Sequence, residues 1–251
     1  MARLFAAAGI PVVLVARRKE KLELLAAELR QRHGIDVQVF DCDLSDPNAA
    51  QRIFDFCHTR GLHIRYLVNN AGFGDYGPFS ESDPSKQQRM IQVNVGTLTA
   101  LSRLFLPAML SAGHGRILHV ASMAAFLPGP GMAVYYATKA YVLHFSEALA
   151  SETSGTGVTV TALCPGPAVS GFYDAAGMKG IRLFELRSVP SARQVAAYGY
   201  RSMMRGKRVA VFDRINSVMA SFIGFFPRSW VVGMARYLNG KYGSPRLNSN
   251  K

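Results

Sequence analysis

Short apolar runs alternate with amphipathic stretches along most of this chain. Val12 to Ala16, Asp36 to Phe40, Ile64 to Val68, Arg116 to Ala121, Val158 to Leu163 and Arg208 to Phe212 are rich in aliphatic and β-branched residues. Runs of that length read as strands, and the Val12 run, apolar throughout, reads as one that is fully buried. Between them, Arg18 to Arg32, Pro47 to about Arg60, Ser85 to Ser111, Ala133 to Glu152 and Ser191 to Met204 carry apolar side chains at helical spacing. Met1 to Ala8 reads as the last turns of a helix closed by Gly9, and Pro47, after the cap candidate Asp46, marks another helix start. Strands alternating with helices predict an α/β fold, a doubly wound parallel sheet covered on both faces. The chain after Phe212 is apolar and helical with Pro227 as a break, so residues 213–251 are expected to form a helical extension packed on a single domain of residues 1–212. Residues 170–190 show no period and read as a covering loop.

With 251 residues, 49% hydrophobic and 18% charged, the chain is long enough for one such domain with a substantial core. No uninterrupted apolar run reaches the roughly 18 residues of a membrane span, and the first residues lack a secretory signal pattern. A cytoplasmic location is the expectation. Cys42, Cys57 and Cys164 form no C-x-x-C pair and read as reduced core thiols; the histidines are scattered without ligand spacing, so no metal is expected. The formal net charge of +13 is uneven, because residues 181–251 hold 13 Lys and Arg against 2 acids. That tail is dispersed rather than blocked, which reads as a solvated basic surface and not as a nucleic-acid site. Val218 to Phe226 and Trp230 to Leu238 combine apolar and basic residues, which suits either packing on the domain or a weak contact with an anionic membrane surface.

The candidate chemistry centres on the Ala133 to Glu152 helix. Tyr135 and Lys139, at i and i+4, share one helix face, whereas four residues beyond the adjacent Tyr136 stands Ala140. A phenol titrates near pH 10, about three units too high for a neutral-pH proton carrier, unless a cation stabilises its phenolate. Lys139 supplies that cation. Ser122 ends the Arg116 to Ala121 run, so its hydroxyl emerges at the C-terminal end of a strand, where open α/β sheets bind ligands.

A serine followed by Tyr-x-x-x-Lys in this register resembles the short-chain dehydrogenase/reductase family, and the order of elements extends the resemblance over nearly the whole chain. The resemblance implies hydride transfer between a nicotinamide and a carbonyl or alcohol carbon. Tyr135 would carry the proton, Lys139 would hold the nicotinamide ribose and favour the phenolate, and Ser122 would bond the substrate oxygen. It further assigns Asn94 to a water link from the lysine to solvent, and Asn70, Ala71 and Gly72 of the Asn-Asn-Ala-Gly signature to the cofactor-facing strand end. Asp43 and Leu44 match the position beside the adenine ring. Ala168 and Ser170, in Pro165-Gly166-Pro167-Ala168-Val169-Ser170, match the loop around the nicotinamide amide. Where an NAD-binding dinucleotide fold ends its second strand with a carboxylate, this chain has Arg17; a guanidinium there pairs with a 2'-phosphate, so NADP(H) is expected over NAD(H). A homodimer or homotetramer is what the family implies.

The departure is at the front. The family opens with a strand and a Thr-Gly-x-x-x-Gly-x-Gly turn that brings backbone amides to the cofactor pyrophosphate, and no such turn occurs in this sequence. Without that strand, two parallel strands are expected to lack a neighbour. Two explanations stand: a start recorded downstream of the true one, or a truncated, non-catalytic relative that binds or scaffolds. The first is favoured because the other motif residues are all present. On the substrate side, Phe73, Tyr76 and Phe79, with Phe172, Tyr173, Met178, Ile181, Leu183, Phe184 and Leu186 of the covering loop, suggest a lipophilic carbonyl or alcohol. The downstream-start reading predicts that the reading frame immediately before Met1 encodes an apolar strand and a glycine-rich turn; sequencing that reveals a stop codon there overturns it.

Overall fold

The structure is a computed structural model that describes residues 1–168, 172, 176 and 189–240. All strand pairs among them are parallel, so every connection is a crossover, and helices supply most of these. In chain order the elements are α1 (Ala2–Ala7), β1 (Val12–Ala16), α2 (Lys19–His33), β2 (Val37–Asp41), α3 (Ala49–Thr59), β3 (Tyr66–Asn69), α4 (Pro84–Ile91), α5 (Leu98–Ser111), β4 (Gly115–Val120), α6 (Ala133–Glu152), β5 (Val158–Cys164), α7 (Ala192–Met204), β6 (Val209–Val211), α8 (Arg214–Phe222) and α9 (Arg228–Asn239). Strands β3, β4, β5 and β6 lie side by side in that order, and β1 pairs with β2.

Both faces of the larger sheet are covered, as adjacent residues of β4 show. Ile117 and Leu118 point to opposite faces and both are fully buried, the first among Ile53, Phe105, Met109 and Val160, the second among Phe5, Leu163, Val195 and Met203. The smaller pair has its own core of Leu14, Leu22, Ala26, Leu29 and Val37.

No strand hydrogen bonds join β1 to β3. A cleft of about 980 Å³ runs between them, lined by Val12 to Ala16 on one side and Tyr66 to Asn69 on the other. The expectation that the Val12 run is fully buried is therefore corrected: of its five residues only Leu14 is, because one edge of β1 faces the cleft instead of a neighbouring strand. Side chains bridge the two parts. Phe5 of α1 packs on Tyr66 and Tyr200 while its neighbour Ala6 joins the β1–β2 core, and on the other face Val13, Val15 and Phe40 pack against the cluster under α3 and α5.

Two helix boundaries also differ from the sequence pattern. Helix α3 starts at Ala49, because Asp46 Oδ1 accepts from the Asn48 N–H at 2.9 Å and spends Pro47 and Asn48 on a turn. The long helix is not uniform: between α4 and α5 the backbone widens into a π-helical turn, Gln92–Thr97, that buries Asn94 and Thr97. By length and composition the run Pro84–Ser111 is apolar enough to cross a membrane, but Leu101, Phe105 and Met109 of its α5 half pack into the sheet core.

A polar chain lies beneath this packing. His119 of β4 is fully buried, with Nε2 2.9 Å from Ser102 Oγ of α5 and Nδ1 2.8 Å from Ser146 Oγ of α6, and Asn69 Nδ2 donates to Ser102 Oγ at 3.2 Å. Burial pushes the His119 pKa down from 6.5 to about 3, so the folded protein keeps the imidazole neutral where an unfolded chain would take up a proton. Stability from this group is present above about pH 6.5 and is lost as pH falls towards 3, at about 1.4 kcal/mol per pH unit. Replacing His119 with Gln is expected to shrink the drop in unfolding free energy between pH 7 and pH 5 by about 2 kcal/mol, read from urea titrations at the two pH values, whatever the variant costs at pH 7.

Candidate active site

The site is built at the C-terminal ends of the strands. Arg17 follows β1, Asp43 and Leu44 follow β2, Asn70 to Gly72 follow β3, Ser122 follows β4 and Ala168 follows β5, so five consecutive strand ends deliver these candidates to one edge. Ser170 lies outside the described residues, as do Tyr173, Met178, Ile181, Leu183, Phe184 and Leu186.

Lys139 occupies the centre. On α6 it is 5% exposed, its Nζ donates to the Val120 carbonyl of β4 at 2.7 Å, and it stands 5.8 Å from the Tyr135 ring centroid. Burial lowers its pKa from 10.5 to about 8. The Cys164 thiol is itself pushed up to about 12, chiefly by burial, and stays protonated. Lys139 thus remains an ammonium at neutral pH, one helical turn from the phenol. Gly72 passes so close that a Cβ there would lie 3.1 Å from Asn94 Oδ1 and 3.3 Å from Lys139 Nζ.

Asn94 ties three elements together. Its Oδ1 accepts from the Phe73 N–H at 3.1 Å, and its Nδ2 donates to the Phe73 carbonyl and to Thr138 Oγ1, both at 3.0 Å. Thr138 in turn donates to the Tyr135 carbonyl at 2.7 Å. The π-helical turn points the amide inward, so in this structure Asn94 pins the strand-end loop against the Tyr135 turn. Ser122 caps the short 3-10 turn Met123–Phe126 by accepting from the Ala124 N–H at 3.1 Å, and the Met123 N–H donates to the Pro165 carbonyl at 2.9 Å, which joins the Ser122 and Pro-Gly-Pro loops.

The two tyrosines separate cleanly. Tyr136 donates its hydroxyl to Asn239 Oδ1 at 2.8 Å, and burial raises its pKa. Gly129 lies against its ring, where a Cβ would come within 2.2 Å of Cγ. Tyr135 faces the lysine and an apolar wall of Phe73, Tyr76, Met132 and Phe172, the last with its ring centroid 5.2 Å away. Phe79, expected with that wall, is 68% exposed and absent from the cluster, because the 3-10 turn Phe79–Glu81 carries it outward.

At the other end, Arg17 is exposed and its charge helps to lower the Asp43 pKa, after the larger effect of the Ser45 N–H bonded to Asp43 Oδ1 at 2.9 Å. The Leu44 carbonyl accepts from Thr97 Oγ1 at 2.7 Å, a buried link that no periodicity announces. Asn239 is likewise invisible in sequence. Its Nδ2 donates to the Pro130 carbonyl at 3.0 Å and its own carbonyl accepts from the Tyr76 hydroxyl at 2.8 Å, so the end of α9 closes the site wall across more than a hundred residues.

A doubly wound sheet with a loop-built crevice along its C-terminal edge defines the nucleotide-binding class of α/β proteins. Residues 1–176 match the family described as short chain dehydrogenase, and the chain belongs to that family. It is 34% identical over 161 residues to a 7beta-hydroxysteroid dehydrogenase of Collinsella aerofaciens, covering 64% of this chain and 60% of that protein. It is 41% identical over 174 residues to a sulfoacetaldehyde reductase of Chromohalobacter salexigens, covering 67% and 66%. Among solved structures, a short-chain dehydrogenase from Sphingobium yanoikuyae in complex with NADPH superposes with TM-score 0.77 at 28% identity, covering 91% of each chain. A 7beta-hydroxysteroid dehydrogenase superposes with TM-score 0.81 at 26% identity over 92% and 89%.

The Asn239 clamp is testable. Asn239→Ala removes two side-chain bonds and strands a buried phenol, at an expected cost of about 2 kcal/mol in denaturant unfolding. Tyr136→Phe should cost about 1 kcal/mol less in that background than in the native chain, the signature of a direct pair.

Proposed function

We propose that this chain carries the active site of an oxidoreductase that moves a hydride between NADP(H) and a lipophilic carbonyl or alcohol. The observation that carries the reading is the buried Lys139 ammonium beside Tyr135 at the strand ends. Membership of the family supports an oxidoreductase with a nicotinamide cofactor; the choice of NADP(H) and the substrate class rest on this chain's own residues.

The cofactor fit is supported at two ends. The glycine at position 72 leaves open the space beside Asn94 and Lys139 that a side chain would fill, which suits the nicotinamide ribose. Arg17 offers an exposed guanidinium, with no carboxylate after β1, which suits a 2'-phosphate. The glycine-rich turn that would meet the pyrophosphate does not occur in this sequence. When bound, the nicotinamide supplies or takes up the hydride. Tyr135 then transfers the proton to or from the substrate oxygen, and Lys139, charged below about pH 8, lowers the cost of the phenolate. Ser122 orients that oxygen, and Phe73, Met132 and Phe172 exclude water and favour an apolar substrate body. A cytoplasmic homodimer or homotetramer, with weak contact at a membrane surface through the basic C-terminal region, belongs to the same proposal.

Saturating NADPH should raise the melting temperature of the purified chain, by the equivalent of about 2.7 kcal/mol at 100 times Kd; no shift would leave the non-catalytic reading. With a panel of lipophilic ketones, Tyr135→Phe should cut kcat by about 10²- to 10⁴-fold, and unchanged turnover would overturn the assignment. Arg17→Asp should move the NADP to NAD preference by about tenfold or more, ~1.4 kcal/mol, read as the ratio of kcat/KM values.

A further inference from the structure

The C-terminal helical pair presents an apolar surface that the described residues leave exposed. On α8, Ile215, Val218 and Phe222 recur at helical spacing and are 62%, 59% and 57% exposed. On α9, Trp230, Met234 and Tyr237 do the same on one face, while Val231, Ala235 and Asn239 of the opposite face are buried. At the apex between the helices, Phe225 is 84% and Phe226 54% exposed, and Pro227 starts α9. Aromatic side chains concentrated at a helical tip, with the helices' other faces anchored, are uncommon on a freely solvated surface.

Charge selects the occupant. Residues 214–240 contain Arg214, Arg228 and Arg236, all exposed, and no acid. Asp213, just before them, caps α8 by accepting from the Ile215 and Asn216 N–H groups. A second copy bringing the same face to a two-fold axis would set Arg214 and Arg228 against their own copies, and residues 214–240 contain no carboxylate to offset them. An anionic lipid surface offers the opposite charge to the arginines and an interface for the aromatic rings. We propose that the α8–α9 tip is a membrane-docking element that inserts Phe222, Phe225, Phe226 and Trp230 into the interfacial layer of an anionic bilayer.

The same helices connect the tip to the active site. The start of α8 sits over the nicotinamide-side loop, where a Cβ on Gly166 would lie 2.7 Å from Asn216 Nδ2. The end of α9 closes the wall beside Tyr135 through Asn239. Each helix therefore has one end at the site and the other at the tip. The nine residues of α8 span about 14 Å at 1.5 Å per residue. Docking brings the site mouth within about that distance of the lipid, which shortens the aqueous path of a lipophilic substrate leaving the bilayer; this last step alone rests on the proposed oxidoreductase reading.

Trp230 is the only tryptophan in the chain and reports directly on the tip. With vesicles of phosphatidylcholine and phosphatidylglycerol at 7:3, and no cofactor or substrate present, the full chain should co-sediment. Its emission should shift to the blue and resist iodide quenching. Binding should fall about tenfold on pure phosphatidylcholine or in high salt. The variant Phe222→Ser/Phe225→Ser, which alters only exposed side chains and keeps the reporter, should lose about tenfold or more in vesicle partition with an unchanged melting temperature. Tyr135→Phe should bind vesicles as the native chain does, so failed catalysis and failed docking are read separately. The proposal is overturned if the native chain stays in the supernatant, if the double variant partitions equally well, or if Trp230 is already shielded without lipid in a concentration-dependent dimer.

Discussion

A charged lysine held inside a protein is costly, and the arrangement around Lys139 shows how this fold sustains one. Desolvation takes its pKa down only to about 8, and the ammonium spends one bond on the Val120 carbonyl, at the end of β4. The neighbouring backbone has to come close without adding bulk, which Gly72 does, and the strand-end loop has to be tied back, which Asn94 does through Phe73 and Thr138. The π-helical turn in the long helix is what turns that asparagine inward. Each of these features is explicable as support for one cation next to one phenol.

The support continues downward and outward. Under Val120 lies His119 of β4, whose two serine partners come from α5 and α6; Ser146 belongs to α6, which carries Lys139 itself. The buried polar chain therefore sets α5 and α6 against β4 in one register, and the position of Lys139 along α6 follows. On the outer side, Asn239 holds Tyr136 away from the chemistry, so that only one of two adjacent phenols is left facing the cation.

Much of this was legible in the sequence, and the limits have physical causes. Strands and helices were readable because parallel strands covered on both faces produce unbroken apolar runs. Tyr135 was separable from Tyr136 because helical spacing is a geometric rule. Thr97, Thr138 and Asn239 were not readable: each has a hydrogen-bond partner distant in sequence, and nothing in local pattern marks a group whose partner is supplied by the tertiary fold. The burial of Val12 to Ala16 was overestimated for a related reason, since composition reports what a strand can bury and not whether both of its edges are paired. Phe79 was misplaced because a 3-10 turn reverses the direction that an extended loop would give it.

The cleft between β1 and β3 has a consequence for how the molecule breathes. The first forty or so residues hold their own small core, and among the described residues packed side chains, not a continuous ladder, fasten them to the rest. A unit joined in that way opens in a local excursion of lower free energy than global unfolding. It carries Arg17 with it, while Lys139 and Tyr135 stay with the larger sheet. The strand-end site is thereby divided, with Arg17 on the part that swings and Lys139 and Tyr135 on the part that does not.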